Sequence, residues 1–117
     1  MSAIVIIPAR YGSTRFPGKP LTLIKGKALI QYVYENSKGS RLAQDVLVAT
    51  DSKEIYNAVI AFGGSVVMTS PNHASGTDRI AEAAMGLSYD IIVNVQGDEP
   101  LIRPGMIDDV IGLLEQL

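Results

Sequence analysis

The 117-residue chain is long enough for one domain with a core of its own. Its hydrophobic content of 47% and mean hydropathy of +0.21 exclude a disordered chain, and no apolar run approaches the length of a membrane span. The net charge of −2 hides an asymmetry: up to Tyr34 there are five Lys or Arg and no acid, whereas from Glu35 onwards five bases face twelve acids, a net of −7.

Positive charge gathered at one place in an otherwise acidic chain favours a small anionic ligand. It argues against a nucleic-acid partner, which calls for a basic face with interleaved aromatic residues. The absence of Cys removes disulfides, thiolate metal sites and a cysteine nucleophile together. The start lacks a basic segment followed by an uninterrupted apolar one, so a soluble, unexported, cytoplasmic protein is expected, with no membrane partner.

Residues 3–8 form an apolar run of the kind found in buried parallel strands. The following loop, from Ala9 to Leu21, carries Arg10, Arg15 and Lys19 and no acid. Gly12 and Gly18 give it unusual backbone angles, Ser13 and Thr14 supply hydroxyl donors, and Pro8, Pro17 and Pro20 limit its freedom. A loop of this composition after a strand suits a ligand with several phosphates. It is not a Walker A motif, because five residues separate Gly12 from Gly18 and Pro20 follows Lys19.

Ala28 to Lys38 fits a helix with Leu29, Tyr32 and Val33 on one face and Gly39 as its stop. Asp45–Thr50 reads as a second strand. Asp51 as N-cap, with Glu54 three residues on, opens a helix to Phe62, ended by Gly63 and Gly64. Ser65–Thr69 is a short third strand, and a polar loop leads into a helix from about Thr77 to Leu87. Tyr89–Val95 is a fourth strand, covered on both faces by its composition, and Pro104 opens a last helix. The remaining tyrosines and methionines fall at helical or strand spacing and read as core.

Strand and helix alternate four times, which implies a parallel sheet with helices on both faces, joined by right-handed crossovers. Ligands of such sheets bind beyond the carboxyl ends of the strands, where strand order reverses. With the first and fourth strands adjacent across that reversal, the basic loop faces Gln96-Gly97-Asp98-Glu99 over one crevice. Adjacent residues on an extended segment point to opposite sides, so one of Asp98 and Glu99 enters it as a carboxylate for a hard cation, with Gly97 letting the cation approach the backbone. A solvated acidic turn before Pro100 is the alternative. Ser75, Gly76 and Thr77 offer amides and hydroxyls to a base or ribose, although Ser75 as N-cap with Asp78 at N3 explains the same pattern without a ligand. His73, the only histidine, reads as a loop residue rather than a general base. The fourth strand has no later strand to pair with. Its apolar edge leads us to expect either a piece of a larger domain or a subunit covered by another chain.

Four segments resemble a known family. Pro8-Ala-Arg-Tyr-Gly-Ser-Thr-Arg-Phe-Pro-Gly-Lys-Pro-Leu21 is similar to the N-terminal signature of the sugar-acid cytidylyltransferases. Ala49-Thr-Asp51, His73-Ala-Ser-Gly-Thr-Asp-Arg79 and Asn94-Val-Gln-Gly-Asp-Glu-Pro100 match, in order and spacing, the branch acting on 3-deoxy-D-manno-octulosonate (Kdo). The resemblance covers almost the whole chain, residues 1–117, as the N-terminal nucleotide-binding part of a family member. It implies an α/β fold with a Rossmann-like parallel sheet of the nucleotide-diphospho-sugar transferase type.

The implied activity is transfer of CMP from CTP to Kdo, with loss of pyrophosphate, for lipopolysaccharide synthesis, by a homodimer using Mg2+. An acylneuraminate cytidylyltransferase and a non-catalytic CTP-binding fragment are the alternatives. By resemblance, Arg10, Ser13, Arg15 and Lys19 hold the triphosphate together with Ala9 and Gly12. Ser75, Gly76, Thr77 and Arg79 lie near nucleotide or sugar, Gln96 lies near the sugar acid, and Asp98 binds magnesium. Arg10, Lys19 and Asp98 carry the chemistry. The family's second metal carboxylate and much of its dimer interface belong to its C-terminal half.

Overall fold

The computed structural model describes residues 2–12, 17–73 and 75–117. Strand β1 (Ala3–Ala9) is buried at all seven positions and lies inside a four-stranded parallel sheet. Its neighbours are β4 (Asp45–Thr50) on one side and β6 (Ile91–Asn94) on the other, and β5 (Val66–Met68) flanks β4. The spatial order β5-β4-β1-β6 therefore reverses between β1 and β6, where β1 pairs Ala3 with Ile91 and Ile6 with Asn94.

Helices α1 (Leu29–Lys38), α2 (Lys53–Ala61) and α4 (Pro104–Glu115) cover one face of the sheet. Ile30, Val33, Ile55, Val59, Ile107 and Ile111 meet Ala3, Val5, Ile7 and Ala9 there. Helix α3 (Gly76–Ala84) covers the other face, and its Ala83 joins Ile4, Ile6 and Ala49 in a smaller cluster. Alternate residues of β1 thus feed two different cores, which is why its sequence is apolar throughout.

Several local readings change. Ser52, not Asp51, caps α2: its Oγ accepts from the Ile55 amide at 3.2 Å, and the Asp51 carboxylate turns to Arg79 instead. A small antiparallel hairpin, β2 (Leu23–Ile24) and β3 (Lys27–Ala28), precedes α1. Its turn places both Lys25 (φ 54°) and Gly26 (φ 80°) in the left-handed region, as a tight hairpin of two loop residues requires.

β6 is covered on one face only: Ile91 and Val93 are buried, whereas Ile92 is 41% exposed and Asn94 is exposed, because α3 does not extend over the last strand. The three described methionines are not core either, with Met68 and Met106 exposed and Met85 78% exposed at the end of α3. Among the tyrosines, Tyr34 is buried and packs on Phe62, while Tyr11 is exposed. Among the described residues no helix is long and apolar enough to cross a membrane.

Candidate active site

A crevice of about 390 Å³ opens beyond the carboxyl ends of β1 and β6, at the reversal of strand order. This is the size and position of a small-molecule site in an open α/β sheet. Three segments wall it.

The first follows β1. Arg10 is exposed immediately after the strand, and the loop closes on itself where the Gly18 amide donates to the Tyr11 carbonyl at 2.7 Å. Gly18 is held at φ 73°, and a Cβ there would stand 2.9 Å from the Tyr11 ring, so both the backbone and the ring contact require glycine. A single 3-10 turn, Lys19–Leu21, follows with Pro20 buried, which fixes the base of Lys19 at the crevice mouth.

The second wall is the turn after β6. The Gly97 amide donates to the Pro8 carbonyl at 3.2 Å, and the Glu99 amide donates to the Gln96 carbonyl at 3.2 Å. A Cβ on Gly97 would lie 2.9 Å from the Ala9 Cβ and 3.2 Å from the Pro8 oxygen. Gly97 is thus needed to seat this turn against the end of β1. The seated turn sends Asp98 over the crevice, where its Oδ2 lies 3.1 Å from Lys19 Nζ. Of the two adjacent acids, Asp98 lines the crevice and Glu99 does not.

The third wall is the start of α3. Ser75 caps the helix: its Oγ accepts from the Asp78 amide at 3.3 Å and donates to the Asp78 carboxylate at 3.2 Å. Arg79 is only 3% exposed. Its guanidinium donates to Thr69 Oγ1 and to the Ser70 carbonyl, and lies 3.6 Å from Asp51. Buried Arg79 therefore forms the crevice floor through neutralised, hydrogen-bonded contacts. Its guanidinium is engaged by these protein groups while the residue still lines the crevice. Glu82 accepts from the Ser70 amide at 3.0 Å and from His73 Nε2 at 2.6 Å. The Ser70 amide first, and then His73, hold the Glu82 carboxyl below its ordinary range.

The residues of this chain match the cytidylyltransferase family model over positions 4–117. The chain belongs to that family. Similar proteins include the 3-deoxy-manno-octulosonate cytidylyltransferase of Geobacter metallireducens, 57% identical over 97% of this chain and 45% of the relative. That of Vibrio vulnificus is 58% identical over 94% of this chain and 45% of the relative. Among solved structures, CMP:2-keto-3-deoxy-manno-octonic acid synthetase complexed with CTP superposes with a TM-score of 0.96 at 46% identity, covering 99% of this chain and 48% of that one. A cytidylyltransferase from Leptospira borgpetersenii gives a TM-score of 0.80 at 30% identity, over 96% of this chain and 48% of its own. The chain spans about half the length of the relatives it matches.

In this cytidylyltransferase chain the crevice gathers Ala9, Arg10 and Lys19 from the first wall, Gln96 and Asp98 from the second, and Ser75, Gly76 and Arg79 from the third. Gly12 and Thr77 are exposed but do not line it. Ser13 and Arg15 lie outside the described residues. His73 also lines the crevice. The sequence reading placed it in a loop but missed its partner Glu82, nine residues on. The available signal was the spacing of Arg79 and Glu82, three apart on one helix face and so able to act on the same neighbouring segment.

Proposed function

We propose that the crevice binds CTP and that this chain takes part in the transfer of CMP to Kdo, with release of pyrophosphate. The observation that carries the reading is the meeting of Lys19 and Asp98, 3.1 Å apart across the reversal between β1 and β6. A phosphate-neutralising cation and a cation-binding carboxylate thereby share one small site. The proteins that the chain is similar to bear names that fit: several are 3-deoxy-manno-octulosonate cytidylyltransferases, and one solved structure is a complex with CTP.

In this reading, the bond formed joins a hydroxyl oxygen of the sugar acid to the α-phosphorus of CTP. The bond broken links that phosphorus to the bridging oxygen of the β-phosphate. The hydroxyl proton leaves, and pyrophosphate departs in line. Arg10 and Lys19 offset charge on the departing phosphates, and Gly76 and Ser75 face the cytidine end. Gln96, which lines the crevice beside the strand end, would contact the sugar acid. No activated nucleophile is required of the protein.

The donor set suits magnesium held jointly with a nucleotide. Among the described residues no group of three or more His, Asp or Glu converges, so an all-protein cage is absent, whereas one carboxylate with phosphates and water is the usual magnesium arrangement. Asp98 would hold the ion, which supplies Lewis-acid polarisation of phosphate oxygens and a more acidic hydroxyl. Action in the cytoplasm, for lipopolysaccharide synthesis, goes with the reading, as does a homodimer, for which the exposed Ile92, Val110 and Leu113 are consistent surface.

The test is a CTP titration by calorimetry with magnesium present, followed by a pyrophosphate-release assay on addition of Kdo. One CTP bound per chain, with tighter binding than CMP, is expected. Absence of CTP binding contradicts the assignment.

A further inference from the structure

The segment from Thr69 to His73 has no regular structure, yet it forms part of the crevice wall and is braced from one helix face. Arg79 holds its beginning through Thr69 Oγ1 and the Ser70 carbonyl. One turn on, Glu82 takes the Ser70 amide and the His73 imidazole with the same oxygen, Oε1. Both polar groups of the Ser70 backbone are therefore fixed by α3. His73, which reaches the crevice, is fixed by a residue that does not line it.

We infer that Glu82 is a positioning residue for nucleotide binding, acting through Ser70 and His73 without touching the ligand. The inference rests on the reading of the crevice as a CTP site. A carboxylate oxygen can only accept from the ring, so the Nε2 that faces Glu82 carries a hydrogen. Glu82 thus sets two things at once: the path of the wall and the hydrogen on Nε2 of the histidine on it. The anion is secure for this purpose, because the Ser70 amide and His73 keep the carboxyl below its ordinary range. Arg79, whose guanidinium is engaged elsewhere, adds to that effect.

The experiment compares the wild-type chain with Glu82→Gln and Glu82→Ala by three measurements: CTP affinity, melting temperature and the 15N spectrum of the imidazole. The chain has one histidine, so the imidazole signals are unambiguous. The expected wild-type spectrum is that of the Nε2–H tautomer. Glu82→Ala is expected to mix the tautomers and weaken CTP by about tenfold or more, the scale of a lost charged hydrogen bond. Glu82→Gln keeps an acceptor oxygen and is expected to restore CTP affinity to within about threefold of wild type.

An Nδ1–H tautomer in the wild-type protein overturns the inference without any variant having to fold. A lowered melting temperature with unchanged CTP affinity in Glu82→Ala also overturns it, since that is the result of a purely structural role. If the wild-type chain binds no CTP, the crevice assignment fails. The tautomer comparison alone then decides whether Glu82 sets His73: mixing supports that hold, and an unchanged spectrum overturns it.

Discussion

On the α3 side of the crevice, a buried arginine, a capping serine and Glu82 cross-brace the wall before any ligand arrives. On the β6 side, Asp98 reaches across the opening to Lys19, and both side chains are nearly half exposed. The α3 wall keeps its polar groups paired with each other, so binding need not reorder them. The β6 side is held by an exposed ion pair worth about 1 kcal/mol or less, which phosphate and a cation could readily exchange. The crevice therefore combines a pre-braced wall with an exposed, adjustable ion pair; in the proposed reading the first takes the nucleoside end and the second the charged end.

The largest effect should come from the adjustable side. Asp98→Asn is expected to leave the fold intact and most CTP affinity in place, while lowering the rate of pyrophosphate release by about 10³-fold, the upper range for loss of one stabilising group at a reacting centre. Glu99→Gln should be much milder, since Glu99 does not line the crevice. Paired rates at saturating CTP and magnesium check this, and an inactive Glu99→Gln beside an active Asp98→Asn would reverse the assignment.

On the braced side the expected effect falls on stability. Arg79→Met leaves Asp51, Thr69 and the Ser70 carbonyl without their guanidinium partner, at a cost of about 3 kcal/mol, as for breaking a buried ion pair. Urea denaturation measures it. Lys19→Ala should behave in the opposite way. It should cost little in urea, yet weaken CTP by about 1.5–3 kcal/mol and CMP far less, as the proposed contact of Lys19 with the outer phosphates requires.

What the sequence made legible follows the same division. The apolar runs of β1 and β4 and the amphipathic stretches between them prescribe the parallel sheet. The adjacency of β1 and β6, on which the site depends, came out as expected. Long-range pairings of charged side chains were not legible. The Asp51 carboxylate has the local pattern of a helix cap, and only the packing of α3 over the sheet gives it to Arg79. Arg79 itself sits in a motif that reads as ligand-facing; it lines the crevice, but its burial and its hold on Thr69 and Ser70 were not legible. The β2–β3 hairpin escaped because strands of two residues carry no periodicity, leaving Lys25-Gly26 as its sole mark. The packing of Gly97 on Ala9, which a Cβ would prevent, was likewise not legible.

The smallest effect concerns acid. Asp108 on α4 ties down the chain between α1 and β4: its carboxylate accepts from Ser40 Oγ at 2.6 Å and from the Arg41 and Leu42 amides at 2.9 Å. The Ser40 bond leads, with the two amides, in lowering its pKa from the ordinary 3.8. A carboxyl lowered by folding contributes stability that is present above its unfolded pKa and is lost as pH falls through the folded one. Glu82, lowered from 4.5, acts with the same sign. Stability should therefore hold from neutral pH down to about pH 5 and decline below it. In Asp108→Asn the decline should be shallower, as urea midpoints between pH 3 and 6 would show.

The division of the crevice into two unlike walls is tested most directly by amide 1H–15N spectra of the chain titrated with CMP and, separately, with CTP and magnesium. The account predicts that both ligands shift Gly76 and its neighbours at the start of α3. Only CTP should also shift Lys19, Gly97 and Asp98. Identical shifts from the two nucleotides, or shifts centred on the distant contact of Arg41 with Asp108, would contradict it.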